Sequence, residues 1–135
     1  MAQNREVLAE FKIGIIGRDL EEAIYQAAHL GAQDAARELS EKYSIDVELL
    51  LATPAASQGG NQPTSLTELF IRKADGFVLS PKSQDIVAST VRFAQEQNQE
   101  VVFFESDLPE TKPLAAILAD EVAAGRLAGK AMLRE

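Results

Sequence analysis

Short apolar runs alternate along this chain with longer segments in which apolar residues recur at helical spacing. The runs predict buried strands, because a parallel strand that is covered on both faces is apolar almost throughout. We expect five strands, of which the last is the weakest: residues 11–17 (FKIGIIG), 45–51 (IDVELLL), 75–80 (DGFVLS), 101–105 (VVFFE) and 114–118 (LAAIL).

The segments between and after these runs predict four helices. Asp19 with Glu22, and Ser65 with Glu68, have the spacing of a capping box, in which two side chains satisfy free N–H groups at a helix start. Small and apolar residues after Asp19 predict a helix face that lies close to a sheet: Leu20, Ile24, Ala27, Gly31, Ala35 and Leu39. The predicted helices run from Asp19 to about Tyr43, Ser65 to about Lys73, Ser83 to about Asn98, and Asp120 to the last residue, Glu135.

Strands that alternate with helices predict an α/β domain with a parallel sheet and helices on both faces. We expect a three-layer, flavodoxin-like single lobe over residues 1–135, with strand order 2-1-3-4-5 and an N-terminal extension at residues 1–10. In such sheets ligands bind beyond the carboxyl ends of the strands. This rule selects four segments as candidate binding loops: residues 17–22, 52–62, 80–83 and 105–107.

Composition and charge narrow the classes of function. The 135 residues carry a formal net charge of -8 and contain no basic stripe, so we expect no nucleic acid partner. No apolar run approaches the roughly 20 residues that cross a membrane. The absence of cysteine excludes disulfides and thiolate chemistry. The first ten residues lack the apolar core of a secretory leader, which leaves open a cytoplasmic protein or a periplasmic one whose leader was removed.

Several motifs that could carry chemistry have a simpler interpretation. Gly14 and Gly17 match neither the dinucleotide-binding pattern G-x-G-x-x-G nor the P-loop pattern G-x-x-x-x-G-K-[ST]. We therefore favour packing and turn glycines over a phosphate-binding loop. His29 is the only histidine and leaves a zinc site or catalytic triad without partners, so we interpret it as a surface or packing residue. The third strand ends at Ser80 and Pro81, where a phospho-receiver would need aspartate. We therefore expect neither an enzyme nor a metal or cofactor.

Acidic residues gather at the predicted carboxyl edge of the sheet. Asp19, Glu21 and Glu22 follow the first strand, whereas Glu105 and Asp107 follow the fourth. Such carboxylates can bind a metal, act as acid and base, or accept hydrogen bonds from hydroxyl groups. For Asp19 and Glu21 we favour capping of a helix start. Glu105 ends an apolar strand where no helix needs a cap, so it is the stronger candidate for ligand binding.

Four segments, in order and at similar spacing, resemble one family. They are FKIGIIGRDLEEAIYQAAHLGAQDAARELS (11–40), ADGFVLSPKSQDI (74–86), VVFFESDLPETK (101–112) and ADEVAAGRLAGKAM (119–132). Together they resemble type I periplasmic sugar-binding proteins and the ligand-binding core of lactose-repressor-type regulators. The resemblance covers nearly the whole chain and corresponds to the N-terminal lobe of that family.

The resemblance implies a set of ligand-binding residues. In that family two lobes close on a sugar, which carboxylates and amides hold by its hydroxyl groups while aromatic rings pack on its apolar faces. The family's Asn-Pro-Phe-Phe falls on residues 22–25, and its ligand-binding aspartate falls on Glu105. The implied ligand-binding residues are Glu22, Ile24, Tyr25, Glu105, Ser106 and Asp107, with Asp120 at the hinge where the chain crosses to the second lobe.

The resemblance also implies that residues 120–135 form a helix that belongs to the second lobe. The apolar residues of this helix would then lack their usual partner, and we expect a homodimer in which the helix docks on a second copy. The expected function is the binding of a small polar ligand, most simply a sugar. The alternative is an oligomerising structural domain of flavodoxin-like fold that has no ligand site.

Overall fold

The computed structural model describes residues 6–134, which form one five-stranded parallel sheet. The strand order is β2-β1-β3-β4-β5, so the predicted order of 2-1-3-4-5 is confirmed. Of the predicted N-terminal extension, residues 1–5 lie outside the described part. The strands are β1 (Glu10–Ile16), β2 (Asp46–Leu51), β3 (Gly76–Leu79), β4 (Glu100–Phe104) and β5 (Ala115–Ile117).

Four helices and two short 3-10 turns connect and follow the strands. None of the helices within residues 6–134 has the length and apolar character that spanning a membrane requires. The helices are α1 (Ala23–Tyr43), α2 (Gln62–Ile71), α3 (Asp85–Glu96) and α4 (Glu121–Met132). The 3-10 turns are Ala56–Gln58 and Pro109–Thr111.

The main core lies between the sheet and the pair α2 and α3. Alternate residues of a strand point to opposite faces, and on this face Phe77, Leu79, Val101 and Phe103 are buried. Helix α1 covers the other face over β1 and β2. Three layers therefore form, with α1 on one side of the sheet and two helices on the other, as the sequence pattern predicts.

Three predicted helix starts are wrong. Helix α1 begins at Ala23, and the Asp19 carboxylate instead accepts from the N–H groups of Glu21 and Ala56. Helix α2 begins at Gln62 because Asn61 caps the N–H of Thr64. Ser65, the predicted start, therefore lies within α2. Helix α3 has Gln84 rather than Ser83 as its N-cap. One helix end also differs, since α4 ends at Met132 rather than at Glu135.

The Asp120 cap is correct, since its carboxylate accepts a hydrogen bond of 2.9 Å from the N–H of Ala123.

The predicted apolar face of α1 is displaced. Tyr25 and His29 are its buried residues, whereas Ile24 is 53% exposed and Leu20 precedes the helix. Gly31, Ala35 and Leu39, which the sequence also predicts for this face, line the groove between α1 and the sheet.

Gly14 and Gly17 are packing glycines, as predicted. A Cβ atom on Gly14 would lie 2.3 Å from a methyl carbon of Leu69, and one on Gly17 would lie 2.4 Å from the Tyr25 ring. Both distances are far below van der Waals contact. The glycines let α2 and α1 approach opposite faces of β1 closely, and this approach positions the Tyr25 ring at the carboxyl edge of the sheet.

Candidate ligand site at the carboxyl edge of the sheet

Side chains from the carboxyl ends of β1, β3 and β4 meet at the edge that the fold class predicts for a ligand. Their centre is Glu105, which directly follows β4. Its carboxylate accepts a hydrogen bond of 2.9 Å from the Tyr25 hydroxyl and another from the Ser80 hydroxyl. Residues that are 80 and 25 positions away in the sequence therefore converge on one carboxylate.

The backbone at Glu105 is itself unusual. Its φ angle is 68°, in the left-handed region that non-glycine residues rarely adopt. Its N–H donates a hydrogen bond of 3.0 Å to the carbonyl of Ile117 in β5. Residues held in such conformations cluster at functional sites, where the surrounding structure compensates a cost on the order of 1–3 kcal/mol.

Arg18 is the cation of this cluster and was missed by the sequence analysis. One Nη atom lies 3.4 Å from the Glu105 carboxylate and donates a hydrogen bond of 2.7 Å to the Ser106 hydroxyl. The Ser106 hydroxyl in turn donates to the carbonyl of Pro81, at 2.9 Å. The available signal was positional, since Arg18 directly follows the glycine at the end of β1.

The hydrogen bonds decide the charge of the central carboxylate. The Ser80 hydroxyl, followed by the Tyr25 hydroxyl and the Arg18 charge, lowers the pKa of Glu105 below 4.5 despite the opposing effect of burial. Burial, together with the neighbouring carboxylate, raises the pKa of Tyr25. At neutral pH the site therefore holds an ionised carboxylate against a neutral phenol.

Two buried polar side chains hold the strand ends in place. The Gln62 amide nitrogen donates to the carbonyls of Gly17 (3.0 Å) and Ser80 (2.8 Å), while its oxygen accepts from the N–H of Lys82. Thr53 accepts a hydrogen bond of 2.7 Å from the N–H of Gly17. These bonds fix the carboxyl ends of β1 and β3 relative to each other, and with them the loop that carries Arg18.

His29 supports the same region from α1. Its Nε2 atom lies 2.6 Å from the Thr53 hydroxyl oxygen. Burial lowers the pKa of His29, so the neutral ring can accept the Thr53 proton while Thr53 accepts from the backbone. Of the two roles predicted for His29, surface or packing, the structure shows packing, because His29 is buried in contact with the loop after β2.

The structure brings together some of the predicted ligand-binding residues and leaves others apart. Tyr25, Glu105 and Ser106 belong to the cluster. Within residues 6–134, no hydrogen bond or ion pair joins Glu22 to it, and Glu22 is an exposed N-cap residue whose side chain caps nothing. Ile24 is exposed, and Asp120 caps α4 beyond the end of β5.

Two polar atoms at this edge have no hydrogen-bond partner among the described residues. They are the Nε of Arg18 and one carboxylate oxygen of Asp107, and both are shielded from solvent. Buried polar atoms are nearly always satisfied, so these two are exceptions at this edge of the sheet. No group of three or more acidic or histidine residues in the described part of the chain could hold a metal ion.

The family model that matches the chain is the periplasmic binding protein domain, over residues 13–135. No curated protein matches the chain significantly. Three similar solved structures are a solute-binding protein of an ABC transporter from Agrobacterium vitis with bound D-fucose, the glucose-galactose binding protein GanP from Geobacillus stearothermophilus, and a solute-binding protein of an ABC transporter from Clostridium phytofermentas with bound L-rhamnose.

The three structures are 27%, 19% and 13% identical to the chain, with TM-scores of 0.69, 0.67 and 0.70. The alignments cover 91%, 91% and 92% of this chain but only 42%, 42% and 37% of those proteins. The chain thus spans less than half the length of the solved proteins that it matches. The match over residues 13–135 shows that the chain belongs to the periplasmic binding protein domain family.

Proposed function

We propose that this chain is one lobe of a sugar-binding protein and that the carboxyl edge of its sheet is half of the sugar site. The observation that carries the proposal is the Glu105 carboxylate, kept ionised by the hydroxyls of Ser80 and Tyr25 beside the Arg18 guanidinium. Such a group accepts hydrogen bonds from sugar hydroxyls, which are the commonest polar groups of a carbohydrate.

The remaining site residues match the other chemistry that a sugar needs. A sugar hydroxyl both donates and accepts, and the free acceptor of Asp107 and free donor of Arg18 would meet these needs. The exposed Ile24 side chain offers an apolar contact for a ring face. Ser106 and the exposed Glu22 complete the proposed ligand-binding set.

The solved relatives support a sugar as the ligand class. Two of them hold D-fucose and L-rhamnose, and a third is described as a glucose-galactose binding protein. This chain spans about two fifths of their length, so it would supply one side of a cleft, with Asp120 at the proposed hinge. Half a cleft buries less of a ligand than a closed one, and we expect dissociation constants of about 1 mM, near -4 kcal/mol.

Isothermal titration calorimetry against a panel of pentoses and hexoses tests the proposal. We expect binding of at least one sugar, and its loss in a Glu105→Ala variant. Glu96→Ala, which removes an exposed carboxylate at the end of α3, is the matched control and should leave binding unchanged. Equal binding by both variants, or no heat with any sugar up to tens of millimolar, would contradict the proposal.

We also propose that the chain binds without catalysing a reaction. The hydroxyls of Ser80 and Ser106 are the nucleophile candidates of the site. Ser80 donates to a carboxylate whose pKa is lowered, and a carboxylate of low pKa is a poor general base at neutral pH. Ser106 donates to a backbone carbonyl, which cannot take its proton at all.

The partner that we propose besides a sugar is a second copy of the chain, bound through the C-terminal helix. Helix α4 buries no residue anywhere along Glu121–Met132. Its exposed apolar side chains include Val122, Leu127 and Met132, and large apolar side chains left uncovered along a whole helix favour an interaction surface. Sedimentation velocity of the chain at micromolar concentration tests this proposal, which a monomer would contradict.

A further inference from the structure

A chain of two hydrogen bonds runs from α1, through the loop after β2, to the turn after β1. The Nε2 atom of His29 lies 2.6 Å from the hydroxyl oxygen of Thr53, and that oxygen accepts a hydrogen bond of 2.7 Å from the N–H of Gly17. His29 and Thr53 are only 9% and 8% exposed. The three residues come from separate parts of the chain, so the fold itself brings them into line.

The surroundings of Thr53 determine where its hydroxyl proton points. A hydroxyl donates one hydrogen bond and can accept two. Within residues 6–134 the His29 ring is the only acceptor within hydrogen-bond distance of the Thr53 hydroxyl. The hydroxyl therefore donates to Nε2 and accepts from Gly17. The ring that accepts this proton is neutral, because both nitrogens of an imidazolium are donors.

Gly17 lies directly before the cation of the proposed sugar site. Its N–H is held by Thr53, and its carbonyl accepts a hydrogen bond of 3.0 Å from the Gln62 amide. The next residue, Arg18, places its guanidinium 3.4 Å from the Glu105 carboxylate. Two side chains thus fix both backbone polar groups of Gly17, and one of the two depends on His29.

A proton on Nε2 of His29 would disrupt this chain of hydrogen bonds. The new N–H would point at the Thr53 hydroxyl, which would then have no acceptor for its own proton. A buried donor without an acceptor and a buried charge without a counter-ion are both unfavourable. Thr53 would have to move, and the N–H of Gly17 would lose its acceptor.

No neighbouring group offsets a positive charge on His29. Burial alone lowers the pKa of His29 below 6.5, and within residues 6–134 no ion pair or hydrogen bond joins its ring to a carboxylate. The strand residues that line the groove beside α1 are apolar, and residues 52–61 include no titratable side chain. The titratable and charged residues of the surrounding elements are Tyr25 one turn earlier in α1, Arg18, Asp19, Glu21 and Glu22 in the turn after β1, and Glu105 after β4.

We propose that His29 is a positioning residue of the sugar site, whose neutral ring holds the turn at Gly17, and with it the Arg18 guanidinium, in the geometry that binds a sugar. The inference rests on the proposed sugar site and adds the dependence of that site on pH. Histidine is the side chain whose ordinary change of charge falls between pH 5 and 8, and His29 is the only histidine of the chain.

The direction of the pH effect follows from the geometry. Above the pKa of His29 the ring is neutral and the turn is held, whereas below it the turn is released. Only the molecules with a neutral ring are then competent to bind, so the apparent affinity falls with their fraction. The Glu105 carboxylate keeps its charge over this range, because its pKa lies below 4.5.

Nuclear magnetic resonance of the ligand-free chain tests the link between the ring and the turn. We expect the ring protons of His29 and the backbone amide of Gly17 to titrate with one shared midpoint below pH 6.5. The amide of Gly76, at the amino end of β3, is the control and should not follow the ring. A Gly17 amide that does not follow His29 would overturn the inference, whether or not a sugar binds.

The consequence for binding is measured with the pentose or hexose that binds most tightly at pH 7.5 in the calorimetric panel. We expect the dissociation constant of the native chain to be at least threefold larger at pH 5.0, and that of His29→Gln to change less than twofold. The glutamine amide oxygen can accept the Thr53 proton at either pH, so this substitution keeps an acceptor and removes the titration. Equal native affinities at the two pH values, or the native pH dependence in His29→Gln, would overturn the inference.

A matched pair of substitutions at Thr53 tests the link between the ring and the turn. Thr53→Ser keeps the hydroxyl and should keep the pH dependence. Thr53→Val keeps the shape without the hydroxyl, and we expect at least threefold weaker binding at pH 7.5 with no pH dependence. A Thr53→Val variant that behaves like the native chain would overturn the inference. If no sugar of the panel binds at any pH, the sugar proposal fails, and the titration of the Gly17 amide decides separately whether His29 holds the turn.

Discussion

The hydroxyl of Tyr25 donates a hydrogen bond of 2.9 Å to the carboxylate of Glu105, and this bond joins the first turn of α1 to the end of β4. The ring that carries the hydroxyl is buried and lies edge-on to Phe104, with 6.4 Å between the ring centroids. The hydrogen bond thus links the packing of the α1 side of the sheet to the geometry of the proposed sugar site.

Replacing Tyr25 by phenylalanine should remove this bond and keep the packing. We expect the free energy of unfolding to fall by about 1 kcal/mol, because a hydrogen bond to a charged acceptor is lost while Ser80 and Arg18 still satisfy the carboxylate. Urea unfolding measures the change. Tyr43→Phe, at the exposed end of α1, is the control and should be neutral. Equal effects of the two substitutions would contradict a role for the Tyr25 hydroxyl.

The lowered pKa of Glu105 predicts how stability depends on pH. Its folded pKa lies below the ordinary 4.5, so as the pH falls the unfolded chain takes up this proton first. The resulting stabilisation is fully present above about pH 4.5 and is lost as the pH drops through the folded value. We expect the stability difference between the native chain and Glu105→Gln to be largest near pH 7 and to shrink below pH 4.5.

Denaturant unfolding from pH 7 to pH 3 measures that difference. Glu96→Gln controls for the loss of one negative charge from an acidic protein. A difference between the native chain and Glu105→Gln that stays constant across the range would mean that the hydroxyls and Arg18 do not hold the carboxylate ionised.

The strands follow from sequence because each contains a short apolar run, and their order follows from the flavodoxin-like class that alternating strands and helices predict. The helix starts are harder to predict from sequence, because several polar residues near each start could serve as the N-cap. Asp19 fits the pattern, yet its carboxylate accepts from Ala56, 37 positions away. Asn61 lay within a segment read as loop, although it caps α2.

The same limit applies to the site. Glu105 is predictable because a carboxylate at the end of an apolar strand has no local structural role. Arg18 and Gln62 are not, since their partners are Ser106 and the backbone at Gly17 and Ser80, which only the folded sheet brings near. Residues that act through distant contacts leave no local pattern in a single sequence.

Gln62 should be the most sensitive of these residues to an isosteric change. Its side chain is 1% exposed and uses both donor and acceptor. Gln62→Glu would place a carboxylate oxygen against the carbonyls of Gly17 and Ser80, where no donor remains. We expect a loss of at least about 2 kcal/mol of unfolding free energy. Gln58→Glu, in the exposed turn before α2, should cost little. A tolerated Gln62→Glu would show that the strand ends do not depend on this amide.

Two glycines of the same region should respond to alanine with opposite signs. A methyl group on Gly17 would lie 2.4 Å from the ring of Tyr25, whereas one on Gly31, within α1, meets no described atom within 4 Å. Overpacking of a closed contact costs about 1–3 kcal/mol, and Gly31 in a helix interior costs about 0.5–1 kcal/mol relative to alanine. We therefore expect Gly17→Ala to lower the thermal midpoint and Gly31→Ala to raise it.

Thermal unfolding followed by circular dichroism distinguishes the two cases, and calorimetry with a bound sugar adds a second measurement. Because Tyr25 would have to shift away from Gly17, its hydrogen bond to Glu105 should lengthen in Gly17→Ala, and sugar affinity should fall together with stability. Gly31→Ala leaves that geometry alone, so its affinity should match that of the native chain. If Gly17→Ala were as stable and as active in binding as the native chain, the close contact between β1 and the Tyr25 ring would not be what positions the site.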